Sequence, residues 1–165
     1  MSNYSRVEGR GRANGAAGIL GNSEERIAVV DCINSGTVYS SSFDSAGIVS
    51  KSNGIDRWIV NCINLGAISS GAINRAVGIV NSYSLIGQEK MINCYNCISI
   101  CGVMCIYRNP SGLTSAMYKP EESTTYGYFT VENCHALSKV SEIFEKMEQT
   151  NPGVFELKGE KIVLK

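Results

Sequence analysis

Charge, proline and histidine are all scarce in this chain of 165 residues. Charged residues make up 18%, Pro occurs 3 times and His once. Disordered segments are usually highly charged or proline-rich, so the scarcity excludes disorder as the general state. Neither sign of charge is in excess: Lys plus Arg is 15, Asp plus Glu is 15. A nucleic-acid binder normally carries a basic footprint, which is missing here. No apolar run approaches the ~20 residues of a membrane-spanning helix. The start, Met1-Ser2-Asn3-Tyr4, has no apolar segment of the kind a signal peptide needs. What the chain does have is glycine, 17 of them, and 7 cysteines. At this length a domain buries roughly 70% of its unfolded surface and needs no metal or disulfide to hold a core.

The glycines and cysteines fall in a repeat. Ala17-Gly18-Ile19-Leu20 returns as Ala46-Gly47-Ile48-Val49 and as Val77-Gly78-Ile79-Val80, with glycine spacings of 29 and 31. Between them, Asp31-Cys32-Ile33-Asn34-Ser35-Gly36 returns as Asn61-Cys62-Ile63-Asn64-Leu65-Gly66 and, less completely, as Asn93-Cys94-Tyr95-Asn96. The cysteine spacings are 30 and 32, and a degraded copy, Asn133-Cys134-His135-Ala136, follows 40 residues later. β-favouring runs of Ile, Val, Cys and Thr between Gly and Asn read as short strands and turns. The 3.6-residue apolar period of helical repeats is absent. Repeats of this length give about three strands of ~5–6 residues each, stacked at ~4.8 Å. The expected fold is all-β: a short right-handed β-solenoid of about three to four coils.

The two alternating phrases resemble the GLUG-motif repeats. Gly18-Ile19-Leu20-Gly21 matches the Gly-apolar-apolar-Gly phrase in full. Gly47-Ile48-Val49-Ser50 and Gly78-Ile79-Val80-Asn81 match it without the last Gly. The resemblance covers residues 13–107. It implies a right-handed β-solenoid in a bacterial surface or secreted protein, hence a secreted or cell-surface location, and it implies no active site. Seven cysteines pull the other way, because extracellular cysteines are mostly paired.

The rest of the chain reads as three further segments. Residues 1–12 form a flexible N-terminal arm with Arg6, Arg10 and Arg12. Residues 108–126 form an insertion loop. Residues 127–165 hold the last coil and a cap: a helix capped by Ser138 and running to about Thr150, then a hairpin of residues 154–157 and 161–164. The cap is expected to cover the open C-terminal end of the stack. The N-terminal end is expected to be uncapped, as in the C-terminal part of a longer protein. Its partners would be upstream repeats or a second copy associating through the N-terminal coil.

Each group able to do chemistry has a structural reading beside the functional one. Cys32, Cys62, Cys94 and Cys134 share one place in successive coils and read as buried free thiols. Cys94, Cys97, Cys101 and Cys105 are the sharpest metal-like cluster. On a strand, residues four apart lie ~13 Å apart and cannot share one ion, so no cofactor or metal is expected. Asn34, Asn64 and Asn96, like Asp31, Asn61, Asn93 and Asn133, read as amide ladders. Gly18, Gly47 and Gly78 are expected at corners with positive φ. Cys134 and His135 are adjacent, so on a strand they face opposite ways and make no nucleophile pair. Asp31, Asp44 and Asp56 have no common period, and glycoside chemistry needs two carboxylates about 5–9.5 Å apart. Trp58, Tyr39 and Tyr83, with Tyr95, are the candidate ligand face. The expected function is therefore a non-catalytic structural or adhesive module. Recognition of carbohydrate or a host protein is the alternative, and a polysaccharide-acting enzyme comes third.

Overall fold

A computed structural model of the chain describes residues 1–9, 15–22, 26–52, 56–72, 75–82, 88–108, 114–117, 124–126 and 129–165. Arg10, Gly11, Arg12 and Tyr83 lie outside the described residues. The fold is all-β with one short helix, and its sheets are predominantly parallel.

Five small sheets, labelled I to V, carry the repeats; the repeats beginning at Ile33 and at Ile63 contribute a strand to each, while the one beginning at Tyr95 contributes none to sheets III and IV among the described residues. Sheet I stacks Ile27–Val30, Arg57–Val60, Glu89–Ile92 and Phe129–Glu132. Sheet II stacks Ser2–Asn3, Ile33–Asn34, Ile63–Asn64, Tyr95–Cys97 and His135–Leu137. Sheet III holds Val7–Gly9, Val38–Ser40 and Ile68–Ser70. Sheet IV holds Ala16–Ala17, Ser45–Ala46 and Ala76–Val77. Sheet V stacks Val49–Ser52, Val80–Ser82 and Cys105–Arg108. The register follows the sequence repeat, with Ile33, Ile63, Tyr95 and His135 side by side.

Between sheets I and II the backbone turns through the left-handed region at Asp31, Asn61, Asn93 and Asn133, with φ of 48–54°. Asn and Asp tolerate this region because their short polar side chains hydrogen-bond locally. After the corner the side chains alternate. Cys32, Cys62, Cys94 and Cys134 turn into the main apolar core with Val29, Ile59, Met91 and Val131. The residue after each cysteine turns outward, and Ile33, Ile63 and Tyr95 form an apolar stripe on the outside of sheet II.

That stripe decides where the C-terminal segment goes. The helix Val140–Thr150 and the hairpin Phe155–Lys158 with Lys161–Leu164 bury Ile143, Met147, Phe155 and Ile162 against it. The segment expected to close the end of the stack instead covers its side. Burying the Ile-Ile-Tyr stripe gains roughly 25 cal/mol per Å² of apolar surface, and at the end of the stack other strands pair with the last ones of sheets I and V. Those other strands come from the segment expected to be a plain insertion loop. Thr114–Met117 pairs antiparallel with Cys105–Arg108, and Thr124–Tyr126 pairs antiparallel with Phe129–Glu132. The helix begins one residue later than expected: Lys139 is its N-cap, without a side-chain cap, and the Ser138 carbonyl accepts from Ser99 Oγ at 3.0 Å.

The first residues are also different from expectation. Ser2–Asn3 and Val7–Gly9 are strands, in register with Ile33–Asn34 and Val38–Ser40. Residues 1–9 are thus a degraded first repeat rather than a flexible arm. Their anchor is Asn3, whose Nδ2 donates to Asn34 Oδ1 at 2.8 Å.

Candidate functional site

Two rows of amides run along the stack, one inside and one outside. The inner row is Asn3, Asn34, Asn64 and Asn96; the last three are fully buried. Asn34 Nδ2 donates to Asn64 Oδ1 at 2.8 Å, and Asn64 Nδ2 donates to Asn96 Oδ1 at 3.0 Å. The second proton of each goes to a backbone carbonyl, Gly36 for Asn34 and Gly66 for Asn64, and Asn96 Nδ2 ends the row on the Cys101 carbonyl. Buried amides must be satisfied, and here each neighbour satisfies the next.

The outer row donates in the opposite direction along the stack. Asn133 donates to Asn93, Asn93 to Asn61, and Asn61 to the Asp31 carboxylate. Asn151, just past the helix, also donates to Asp31 Oδ1, at 3.0 Å. His135 Nε2 lies 2.9 Å from Asn133 Oδ1, and its ring stacks on Tyr95. Asn133 Oδ1 is the free acceptor at that end of the row, so Nε2 carries the proton. Burial, helped by Lys146, holds the His135 pKa below its ordinary 6.5.

Gly18, Gly47 and Gly78 are not at positive φ; among the described glycines only Gly153 and Gly159 are. The corner argument fails for these three, because Asp31 and the Asn residues take the corners. The glycines serve the inner amide row instead. A Cβ on Gly47 would collide with Asn64 Oδ1 and the Gly78 carbonyl, and one on Gly18 would collide with Asn34 Oδ1 and the Gly47 carbonyl. The same holds for Gly78 against Asn96.

The cysteine row is buried and free. Cys62, Cys94 and Cys134 each lie within 3.5 Å of backbone carbonyls, to which their thiols donate. Burial raises the pKa values of Cys94 and Cys105 well above the ordinary 9.0, so these thiols stay protonated and weakly nucleophilic. The Cys94 to Cys105 cluster is dispersed. Cys94 and Cys105 face the main core, Cys97 faces the helix side, and the Cys101 thiol donates to the Val103 carbonyl. Among the described residues no three His, Cys, Asp or Glu side chains are grouped as metal ligands.

The acids are occupied separately. Asp44 is buried and lies 3.8 Å from Arg75, Asp56 lies 3.2 Å from Arg26, and Asp31 ends the outer amide row. Cys134 points inward and His135 outward. The sequence reading missed one buried polar group. Arg57 and Glu89, both without solvent exposure, sit 3.9 Å apart inside the stack, and Ser82 Oγ donates to Glu89 at 2.5 Å. The available signal was alternation: both charges occupy inward positions of sheet I, beside Ile59 and Met91.

The aromatic candidates do not share a face. Trp58 is 48% exposed on the outside of sheet I, with Lys90 Nζ 5.4 Å from its ring centre. Tyr39 lies on sheet III, and Tyr95 is buried under the helix. The other outer positions of sheet I are Ala28, Val30, Val60, Lys90, Ile92, Thr130 and Glu132, so Trp58 lies on a surface of mixed apolar and polar side chains. A groove of about 610 Å³ lies beside the start of the helix, lined by Leu65, Ile100, Lys139, Val140 and Lys161 among others, with Glu160 as its one acid.

No family model and no curated protein matches the chain. Among solved structures it is similar to one described as "a putative immunoglobulin A1 protease from Bacteroides ovatus". The identity is 11% and the TM-score 0.40, over 99% of this chain and 74% of that one.

Proposed function

We propose that the chain is a non-catalytic structural or adhesive module, built as a short right-handed β-solenoid of about three to four coils with a helix-plus-hairpin cover. One observation carries this reading: the inward groups of the repeats are taken up by the amide row, the thiol row, the apolar core and the Arg57–Glu89 pair with Ser82. The acids, the histidine and the thiols face different directions with separate partners. A solenoid needs this repetition, since one coil cannot bury its own apolar face. The GLUG-like phrases support a place in a larger bacterial surface or secreted protein.

A second reading is favoured by Trp58. An exposed indole on a sheet face, with a lysine against it and amides along its border, is a surface on which a sugar ring or a host protein can lie. Trp58 is the sole tryptophan, so its emission reports directly on that face. Titrating the protein with a panel of polysaccharides is the test. The structural reading expects unchanged emission and no cleavage products. A saturable change that is lost in Lys90→Ala would replace it with the binding reading, and released oligosaccharide would replace both with an enzyme.

A further inference from the structure

We propose that the groove between the C-terminal cover and the side of the stack binds a small organic monocarboxylate. Its apolar body lies on Leu65 and Ile100, and its carboxylate lies between Lys161 and the start of the helix. The proposal rests on the fold and not on the functional reading.

The floor of the groove follows from the repeat. Ile33 and Ile63 face outward and are buried under the cover. Two residues further on, the alternation of side chains brings Ser35 and Leu65 to the same outer side. The cover stops there: its helix begins at Val140, and its hairpin turns between Lys158 and Lys161. The gap between these two ends is the groove of about 610 Å³, a size within the roughly 300–1,000 Å³ of small-molecule sites. Leu65 and Ile100 line it, and Ile100 is 44% exposed although it borders a buried apolar stripe. An apolar ligand body that covers Ile100 removes this surface from water.

The rim sets the charge of the ligand. Lys139, Lys161 and Glu160 are the charged residues of the lining, two positive against one negative, so the lining carries one net positive charge. That balance suits a monoanion and disfavours a dianion. Lys139 lies 4.0 Å from Glu142, whereas Lys161 has no ion-pair partner among the described residues. Val140 and Ser141, the first two residues of the helix, also line the groove. The first N–H groups of a helix have no intrahelical acceptor, and Lys139 supplies no side-chain cap. The positive end of the helix dipole therefore adds to Lys161. A further observation points to a ligand independently of the helix end. Ser35 Oγ is shut off from solvent and has no hydrogen-bond partner among the described residues. It has no bond to lose where it sits, so a turn about χ1 brings the hydroxyl into the groove as a donor. A carboxylate oxygen, which only accepts, suits all of these donors.

The test is amide NMR of the full chain titrated with octanoate and, separately, with octylammonium, which carries the opposite charge on the same apolar chain. Octanoate is expected to shift the signals of Leu65, Ile100, Val140 and Ser141 saturably. Octylammonium is expected to bind at least about tenfold more weakly. Lys161 is an exposed residue of the hairpin, so its substitution leaves the core untouched. Lys161→Glu is expected to raise the octanoate dissociation constant about tenfold, and Lys161→Arg, which keeps the charge, to leave it within about threefold. No saturable shift with octanoate, shifts centred elsewhere in the chain, equal binding of the two amphiphiles, or a Lys161→Glu variant that binds octanoate like wild type would overturn the proposal.

Discussion

Gly47→Ala is expected to cost about 3 kcal/mol or more, near the top of the range for overpacking a close-packed interior. At roughly 2–4 °C per kcal/mol for a chain of this size, that lowers the melting temperature by about 6–12 °C. The added Cβ meets Asn64 Oδ1 on one side and the Gly78 carbonyl on the other. Neither can yield: the amide is tied to its neighbours above and below, and the carbonyl is backbone. Gly102 is the control, since a Cβ there meets nothing within 4 Å. Gly102→Ala is expected within about 0.5 kcal/mol of wild type. Thermal unfolding of both, followed by circular dichroism, gives the comparison. Equal melting temperatures for the two variants would show that the glycine row does not pack against the amides.

Glu89→Ala is expected to be about as severe, at about 3–5 kcal/mol, because it leaves the Arg57 guanidinium charged and buried without its counter-ion. The double variant Arg57→Met/Glu89→Leu is expected to recover most of that loss, since well-packed apolar residues replace buried ion pairs at little cost. Chemical denaturation of the single and double variants measures it. Additive losses in the double variant would mean that packing around the two side chains matters, and the ion pair does not. Ser82 loses its hydrogen bond to Glu89 in the double variant, which limits the recovery.

Much of the architecture is legible in the sequence because the repeat itself is the register. Cysteine spacings of 30 and 32 set Cys32 beside Cys62 and Cys62 beside Cys94, and the strand pairs between them keep offsets of 30 to 32, with one register shift between Val80 and Ser82. The parts that were not legible have physical reasons. Gly47 is silent about its role because a glycine required by positive φ and one required by a close neighbour look the same in sequence. The neighbour, Asn64, lies 17 positions away and one repeat further on.

The side cover is not legible in Ile33, Ile63 and Tyr95 as strand formers, because strand propensity is the same for either face. Cysteine in, apolar out, asparagine in is the alternation, and an outward apolar stripe requires a cover. The first repeat was missed because Met1-Ser2-Asn3 retains only one letter of Cys-Ile-Asn, and that letter makes the one contact the inner row needs. Among the candidate site residues, Trp58 and Tyr39 looked alike in composition, but they lie on different sheets.

The account depends on the inner amide row more than on any other feature, because the row links the repeats, explains the glycines and fills the interior. Hydrogen exchange of the asparagine side-chain amides measures it directly. Both Asn64 side-chain protons are bonded and sealed from solvent, to Asn96 Oδ1 and to the Gly66 carbonyl. They and the Asn34 protons are expected to exchange only through global unfolding, with the protection of the core backbone. Asn61, Asn93 and Asn133 on the outside are expected to exchange far faster. Inner amides that exchange as fast as the outer ones would place Asn34 and Asn64 in contact with water and contradict the stacked interior.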